Sequence, residues 1–121
     1  RTRALAGDLG PDVVVIDWDR REQALASVSL LVNTTSLGMT GHPPLLLSLD
    51  ALPARAVVCD IIYTPLETPL LAAARRRGNP VVDGLGMLLH QARPGFMAWF
   101  GVMPSVDKAL REHVVRSMNL A

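Results

Sequence analysis

Four short apolar runs, three of them rich in β-branched residues, recur along the chain, and more polar segments separate them. The runs are Asp12–Asp17, Leu30–Asn33, Ala56–Ile62 and Val81–Asp83. Nearly continuous apolar runs of this length are typical of strands that are buried on both faces of a parallel sheet. Strands that alternate with helices form an open sheet with helices packed on its faces. The sequence therefore predicts a mostly parallel α/β fold.

Helical segments lie between and after these runs. The longer ones are predicted over Asp19–Ser27, Glu67–Arg77, Leu85–Phe100 and Val106–Met118. Asp19 is a suitable N-cap for the first, and Gly78 with Pro80 closes the second. The third is expected to be interrupted at Pro94-Gly95, and Ser48–Leu52 is expected to form one helical turn. Because the chain opens inside a helix and without Met, we expect a fragment whose N-terminal part is missing.

Composition indicates one domain without a macromolecular partner of an obvious class. The 121 residues are 50% hydrophobic and 19% charged, with a formal net charge of +1, which suits one apolar core. The basic run Arg75–Arg77 lies at a predicted helix end, where cations offset the helix dipole, so we expect no nucleic-acid partner. No apolar run approaches the ~20 residues that span a bilayer, so we expect no membrane partner. A single cysteine, Cys59, excludes an internal disulfide and suits a cytoplasmic location.

The ionisable residues that could bind metal or transfer protons lack suitable partners in the sequence. His42, His90 and His113 do not have the spacing of metal ligands, so we expect no metal. Asp60 has no neighbouring acid or base and is expected to form local hydrogen bonds. Asp83 precedes a predicted helix and is expected to cap it.

Polar or glycine residues directly follow three of the predicted strands. These groups are Asn33–Ser36, Asp60–Tyr63 and Asp83-Gly84. Ligands of open parallel sheets bind outside the carboxyl ends of the strands. We therefore expect a ligand cleft at this edge of the sheet.

The segment VVDGLGMLLHQ places a glycine-rich turn at the start of a helix. It lacks the third glycine of the dinucleotide-binding fingerprint. Gly84, Met87 and Gln91 share one helix face, since they are spaced i, i+3 and i+7. Another side of the helix, expected to face the core, holds mainly Leu85, Leu89, Ala92, Phe96 and Trp99. Two alternatives stay open for Gln91, which either faces a ligand or is a solvated position.

Three motifs in one order resemble a known family. NTTSLGM (Asn33–Met39), CDIIYTPLETPLL (Cys59–Leu71) and DGLGMLLHQARPGFMAWFG (Asp83–Gly101) are similar to the C-terminal half of shikimate dehydrogenases. The resemblance implies a Rossmann-like NADP-binding domain over residues 1–101, including the active-site helix 84–100. It also implies that residues 102–121 form a C-terminal helix returning to an absent N-terminal substrate domain of the same polypeptide.

The resemblance also implies a reaction and a set of cofactor contacts. Members of the family reversibly reduce 3-dehydroshikimate to shikimate with NADP, in chorismate and aromatic amino-acid biosynthesis. Matched by position, the cofactor-binding residues are Arg1, Asn33, Thr35, Ser36, Ile61, Gly84 and Met87. Arg1 matches an arginine that binds the 2′-phosphate, and its alternative is a solvated helix-end position. Asn33 is equally suited to capping its own turn.

Substrate contacts and catalysis are divided between this chain and the absent domain. Tyr63 and Gln91 match residues that contact the substrate, although Tyr63 could also place its hydroxyl in water. No catalytic residue is expected in this chain, because the family's catalytic lysine and aspartate belong to the N-terminal domain. The only lysine, Lys108, lies outside the motifs. We therefore expect the segment alone to be inactive.

Several alternatives stay open at this point. Relatives of the fold include quinate dehydrogenases and enzymes that prefer NAD. A non-catalytic ligand-binding or regulatory module is an alternative from another functional class. The oligomeric state is either monomer or homodimer.

Overall fold

A parallel sheet of three strands forms the centre of the computed structural model, which describes residues 2–118. The strands are β1 (Leu30–Asn33), β2 (Val57–Asp60) and β3 (Val81–Val82), and they lie side by side in that order. In the pairing of β1 with β2, Asn33 lies opposite Asp60. This arrangement confirms the predicted parallel α/β sheet and brings two polar strand ends to the same level.

Helices precede and follow the strands. Within the described residues they are α1 (Thr2–Leu9), a 3₁₀ helix (Trp18–Ser27), α2 (Pro69–Arg76), α3 (Gly84–Phe100) and α4 (Lys108–Met118). Thr68 caps α2, whose first turn accommodates Pro69 because the missing N–H has no intrahelical partner there. α3 ends at Gly101, whose φ of 70° lies in the left-handed region that glycine adopts readily. None of the helices in residues 2–118 has both the length and the apolar character needed to cross a membrane.

The core lies where α2 covers β2 and β3. Its buried side chains are Leu25, Leu49, Leu52, Ala56, Val58, Leu70, Leu71 and Ala74. Each buried leucine contributes about 1.5–3 kcal/mol relative to an exposed one. Asn79, which follows α2, donates from its side-chain amide to the carbonyls of Pro53 and Ala56 at 2.9 and 3.0 Å. These bonds attach the turn before β2 to the end of α2.

The predicted first strand, Asp12–Asp17, is wrong. Residues 13–17 have no regular structure, and Val14 is 77% exposed. A β-branched run becomes a strand only when a neighbouring strand supplies hydrogen-bond partners for its backbone. Within residues 2–118 the sheet ends at β1, and nothing pairs with this run.

The predicted interruption of the long helix at Pro94-Gly95 is also wrong. α3 runs without a break from Gly84 to Phe100. Pro94 removes one backbone hydrogen bond to the carbonyl of His90. Because His90 is exposed, water can bond that carbonyl instead, so the helix continues.

Most of the predicted core face of α3 is not buried. Leu85 is fully buried, whereas Leu89 is half-buried and Ala92, Phe96 and Trp99 are exposed. Helical periodicity groups these side chains on one face, but burial also requires an element to cover that face. Within the described residues, the buried residues of α3 are Gly84 and Leu85, at its N-terminal end.

Two local predictions are also wrong. Asp19 lies in the first turn of the 3₁₀ helix rather than at its N-cap, because the helix starts at Trp18. Ser48–Leu52 contains a turn at Asp50 and Ala51 and no helical turn. The Ser48 hydroxyl accepts a bond from the backbone N–H of Asp50 at 3.2 Å, which favours the turn.

Candidate functional site

A cleft of about 410 Å³ opens at the carboxyl ends of β1 and β2. Its walls are Thr34–Ser36 and Met39 after β1, Ile61–Thr64 after β2, and Met87 on α3. Ile61, Met39 and Met87 give these walls a largely apolar character, and hydroxyl groups are placed among them. The cleft therefore lies at the sheet edge that the polar strand ends predict.

Asn33 builds the turn that forms one wall of the cleft. Its side-chain oxygen accepts bonds from the backbone N–H and the hydroxyl of Thr35 at 3.0 and 2.7 Å. Its amide donates to the carbonyl of Leu37 at 3.2 Å, and the residue is only 4% exposed. The side chain of Asn33 therefore caps its own turn, as one of the two alternatives for this residue predicts.

Asp60 forms the local hydrogen bonds that the sequence predicts. Oδ1 accepts from the side-chain amide of Asn33 at 3.1 Å and from the backbone N–H of Ile62 at 3.0 Å. Oδ2 accepts from the hydroxyl of Thr68 at 2.7 Å. The buried carboxylate thus holds together the ends of both strands and the start of α2.

Gly84 brings α3 against the end of β2. Its backbone N–H donates to the carbonyl of Ile62 at 3.2 Å. A Cβ atom at this position would overlap the backbone carbonyls of Ile61 and Ile62. Only glycine permits this approach, which places Met87, one turn later, in the wall of the cleft.

Asp83 caps α3, as predicted. Its Oδ1 accepts from the backbone N–H of Leu85 at 3.1 Å. The same carboxylate accepts two bonds from the Arg111 guanidinium on α4, at 2.6 and 3.2 Å. The start of α3 is therefore fixed both by its own cap and by the last helix.

The structure brings most of the predicted site residues together. Those in the cleft walls are Thr35, Ser36, Ile61, Tyr63 and Met87. Asn33 and Gly84 are buried next to the wall segments, whereas Gln91 is exposed on α3 and does not line the cleft. Arg1 lies outside the residues that the structure describes.

Four wall residues were not among the predicted site residues, namely Thr34, Met39, Ile62 and Thr64. Met39 belongs to the NTTSLGM motif, so its place in that motif was the available signal. It reaches the cleft through the turn geometry: its N–H donates to the carbonyl of Ser36 at 3.2 Å. Apolar periodicity does not extend through turns, so no pattern marked this residue.

Cys59 lies directly beside this network on β2. Burial, followed by the nearby negative charges of Asp60 and Asp83, raises the pKa of its thiol. A raised pKa keeps sulfur in the thiol form, which is a poor nucleophile and metal ligand. Within residues 2–118, no cluster of three or more His, Cys, Asp or Glu residues is arranged to hold a metal ion.

Comparison with known proteins gives consistent results. No family model matches the chain. The NADP(+)-dependent shikimate dehydrogenase of Paramagnetospirillum magneticum is 59% identical over 115 residues, which cover 95% of this chain and 42% of that protein. The chain thus spans about two fifths of the length of this relative.

Two solved structures are similar in fold and in sequence. Quinate dehydrogenase from Corynebacterium glutamicum, in complex with NAD, has a TM-score of 0.80 and 34% identity over 94% of this chain and 42% of that one. Shikimate 5-dehydrogenase from Thermus thermophilus, in complex with NADP(H) and shikimate, has a TM-score of 0.73 and 30% identity over 96% and 41%. Because the similarity extends over nearly the whole of this chain, the chain corresponds to one part of the proteins of the shikimate dehydrogenase family, about two fifths of their length.

Proposed function

We propose that the chain is the NADP-binding part of a shikimate dehydrogenase, which reversibly reduces 3-dehydroshikimate to shikimate in chorismate and aromatic amino-acid biosynthesis. Identity of 59% to an NADP(+)-dependent shikimate dehydrogenase supports this proposal. The single structural observation that carries it is the cleft at the carboxyl ends of β1 and β2. Parallel sheets of this class bind nucleotide cofactors at that position.

The residues of the cleft suit a nicotinamide cofactor. Ile61 and Met87 offer apolar contacts to a flat ring. Thr35 and Ser36 offer hydroxyl and backbone groups to the ribose and pyrophosphate. Asn33 and Gly84 set the backbone around these contacts, as their burial indicates. NADPH supplies the hydride for the reduction when it is bound.

We assign substrate contacts to Tyr63 and Gln91. Tyr63 lines the cleft and is 41% exposed, so its hydroxyl is accessible to a polar ligand. Gln91 lies two turns along α3 from Gly84, and its amide can both donate and accept. Lys108 forms an exposed ion pair with Glu112 at 3.6 Å on α4, outside the cleft. We therefore place the proton-transfer residues in another part of a longer protein.

The remaining assignments concern segments at the two ends of the chain. We propose that Arg1 binds the 2′-phosphate of the cofactor. We propose that residues 102–121 pack on an N-terminal substrate domain of the same polypeptide. In α4, Val114 and Val115 are only half-buried, which leaves an apolar side for such contact. A cytoplasmic location suits the unpaired thiol of Cys59.

Quinate oxidation with NAD is the second candidate function. The similarity to a quinate dehydrogenase in complex with NAD, at a TM-score of 0.80, favours it. Both candidates use the same cleft, and they differ in the ring substituents of the substrate and in the 2′-phosphate of the cofactor. A non-catalytic module of the same fold would bind the cofactor without turnover.

Steady-state kinetics of the longer protein that contains this segment test the proposal. We expect shikimate oxidation with NADP, followed at the nicotinamide absorbance, to exceed quinate oxidation with NAD in kcat/KM. Tyr63→Phe, which removes only the hydroxyl, should raise KM for shikimate and leave KM for NADP unchanged. The reverse order of substrates would favour quinate dehydrogenase, and cofactor binding without turnover of either substrate would favour the binding module.

A further inference from the structure

Asp60 is a buried charged group without a cation. Its side chain is 0% exposed, and among residues 2–118 no basic side chain lies within ion-pair distance of it. Three donors converge on its two oxygens, from Asn33, Ile62 and Thr68. Burying an isolated charge is costly unless hydrogen bonds compensate, so these three donors together retain the carboxylate in the interior.

The three donors belong to three different segments that meet beneath the cleft. Asn33 carries the turn that holds Thr35, through two bonds to its side-chain oxygen. Ile62 is part of the wall segment after β2. Thr68 accepts a bond from the backbone N–H of Leu71 at 3.3 Å and so begins α2. The carboxylate therefore joins the two wall segments to each other and to α2, in addition to the backbone bond from the Ile61 N–H to the Asn33 carbonyl at 3.1 Å.

We propose that Asp60 is a positioning residue for cofactor binding, because it holds the wall segments Thr34–Ser36 and Ile61–Tyr63 at the separation that the cofactor needs. The inference rests on the proposed function. Asp60 itself is buried under these segments and does not line the cleft. It acts through the turn of Asn33 and through the backbone of Ile62.

Thr68 offers the most selective way to disturb this arrangement. Its hydroxyl accepts from Leu71, so its single hydrogen is directed at Asp60, 2.7 Å away. Thr68→Val keeps the shape of the side chain and removes both bonds. Thr68→Ser keeps the hydroxyl and removes only a methyl group, so it should retain the positioning effect.

The test measures the dissociation constant of NADPH by nicotinamide fluorescence in the longer protein that contains this segment. Thr68→Val is expected to weaken binding about tenfold, on the scale of one hydrogen bond to a charged group, and Thr68→Ser by less than about twofold. Leu25→Ala is the control, since it removes a buried core side chain outside the network. It should lower the melting temperature at least as much as Thr68→Val while leaving NADPH affinity within about twofold.

Thr68→Ala is a second variant, for use if Thr68→Val does not fold. It removes the same two bonds without placing a second methyl group against the Asp60 carboxylate, so a similar loss of affinity is expected. The inference is overturned if these variants bind NADPH as tightly as the wild type, or if Leu25→Ala weakens binding as much as they do. If the wild-type protein binds neither NADPH nor NADH, both the proposed function and this inference are wrong.

Discussion

Arg111 on α4 donates two hydrogen bonds to the carboxylate of Asp83, the residue that caps α3. The pair spans 28 positions of sequence and is partly buried on both sides. A forked guanidinium–carboxylate contact of this kind is stronger and more directional than a surface ion pair. Through this contact, α4 supports the N-terminal end of α3 beside the cleft, in addition to the capping bond from Asp83.

Replacing Arg111 by Ala should therefore destabilise the protein. We expect a loss of about 1 kcal/mol in the free energy of unfolding, at the upper end for exposed pairs because both groups are partly buried. Chemical denaturation measures this loss. Lys108→Ala on the same helix removes an exposed pair with Glu112 and should change stability much less. Equal losses in the two variants would contradict a supporting role for the Arg111–Asp83 contact.

Two glycines in the same helix should respond to alanine in opposite directions. Gly84→Ala places a methyl group against the backbone carbonyls of Ile61 and Ile62 and should destabilise the protein by about 1–3 kcal/mol. Gly86→Ala meets no atom within 4 Å and should stabilise it by up to about 1 kcal/mol through helix propensity. Thermal unfolding of both variants measures these changes in stability. A stabilised Gly84→Ala variant would show that α3 does not need this close approach to Ile61 and Ile62.

Met39 should contribute to cofactor affinity although apolar periodicity does not mark it. Its side chain lines the cleft, so Met39→Ala removes apolar contact area from the wall. We expect KM for NADP to rise about threefold to tenfold, which corresponds to roughly 1 kcal/mol of lost packing. Met97→Ala is the matched control, because Met97 is an exposed methionine of α3 outside the cleft. Equal effects of the two variants would speak against the cleft as the cofactor site.

Gln91 provides a test of the substrate side of α3. If its amide contacts shikimate, Gln91→Ala should raise KM for shikimate by about tenfold and leave KM for NADP unchanged, as expected for the loss of one or two hydrogen bonds. His90→Ala changes the neighbouring exposed residue and should affect neither constant. An unchanged KM for shikimate in Gln91→Ala would favour the alternative interpretation, in which Gln91 is a solvated position without ligand contact.

Cys59 should react slowly in the folded protein. Its thiol pKa is raised by burial and by the charges of Asp60 and Asp83, so less thiolate is present at pH 8 than in the unfolded chain. Iodoacetamide should alkylate the Cys59 peptide more slowly under native conditions than in denaturant, as measured by mass spectrometry. The stabilising contribution of the neutral thiol is complete below the pKa of the unfolded chain and is lost as pH rises through the raised folded pKa. Faster native alkylation at pH 8 would contradict the direction of the shift.

The sequence predicts the sheet edge better than it predicts the contacts there. The runs Leu30–Asn33 and Ala56–Ile62 are apolar enough to identify two strands, and the polar residues at their ends indicate where a cleft forms. By contrast, Asp12–Asp17 is also mostly apolar and is not a strand. Strand formation depends on a neighbouring strand, which composition does not reveal. Periodicity likewise groups the face of Trp99 correctly but cannot show what covers it.

Contacts between distant residues lie beyond such patterns. The Arg111–Asp83 pair and the Asp60–Thr68 bond join separate segments, and no spacing rule connects their members. Gly84 illustrates a further limit. Its place in a glycine-rich turn indicates a ligand contact, whereas the structure shows that the backbone of Ile61 and Ile62 already requires a residue without a Cβ.

The N-terminal end of α3 is buried and the rest of the helix is more exposed, so a small tilt of the helix would displace its two ends by different amounts. Its 17 residues extend over about 25 Å, and within residues 2–118 its buried residues are Gly84 and Leu85, at the N-terminal end. Tilting α3 by about 5° around its buried N-terminal end would displace Phe100, at the other end, by about 2 Å. Met87, close to the N-terminal end, would move by only a few tenths of an ångström. A partner that displaced the C-terminal end of α3 would therefore shift Met87, in the wall of the cleft, by a much smaller distance.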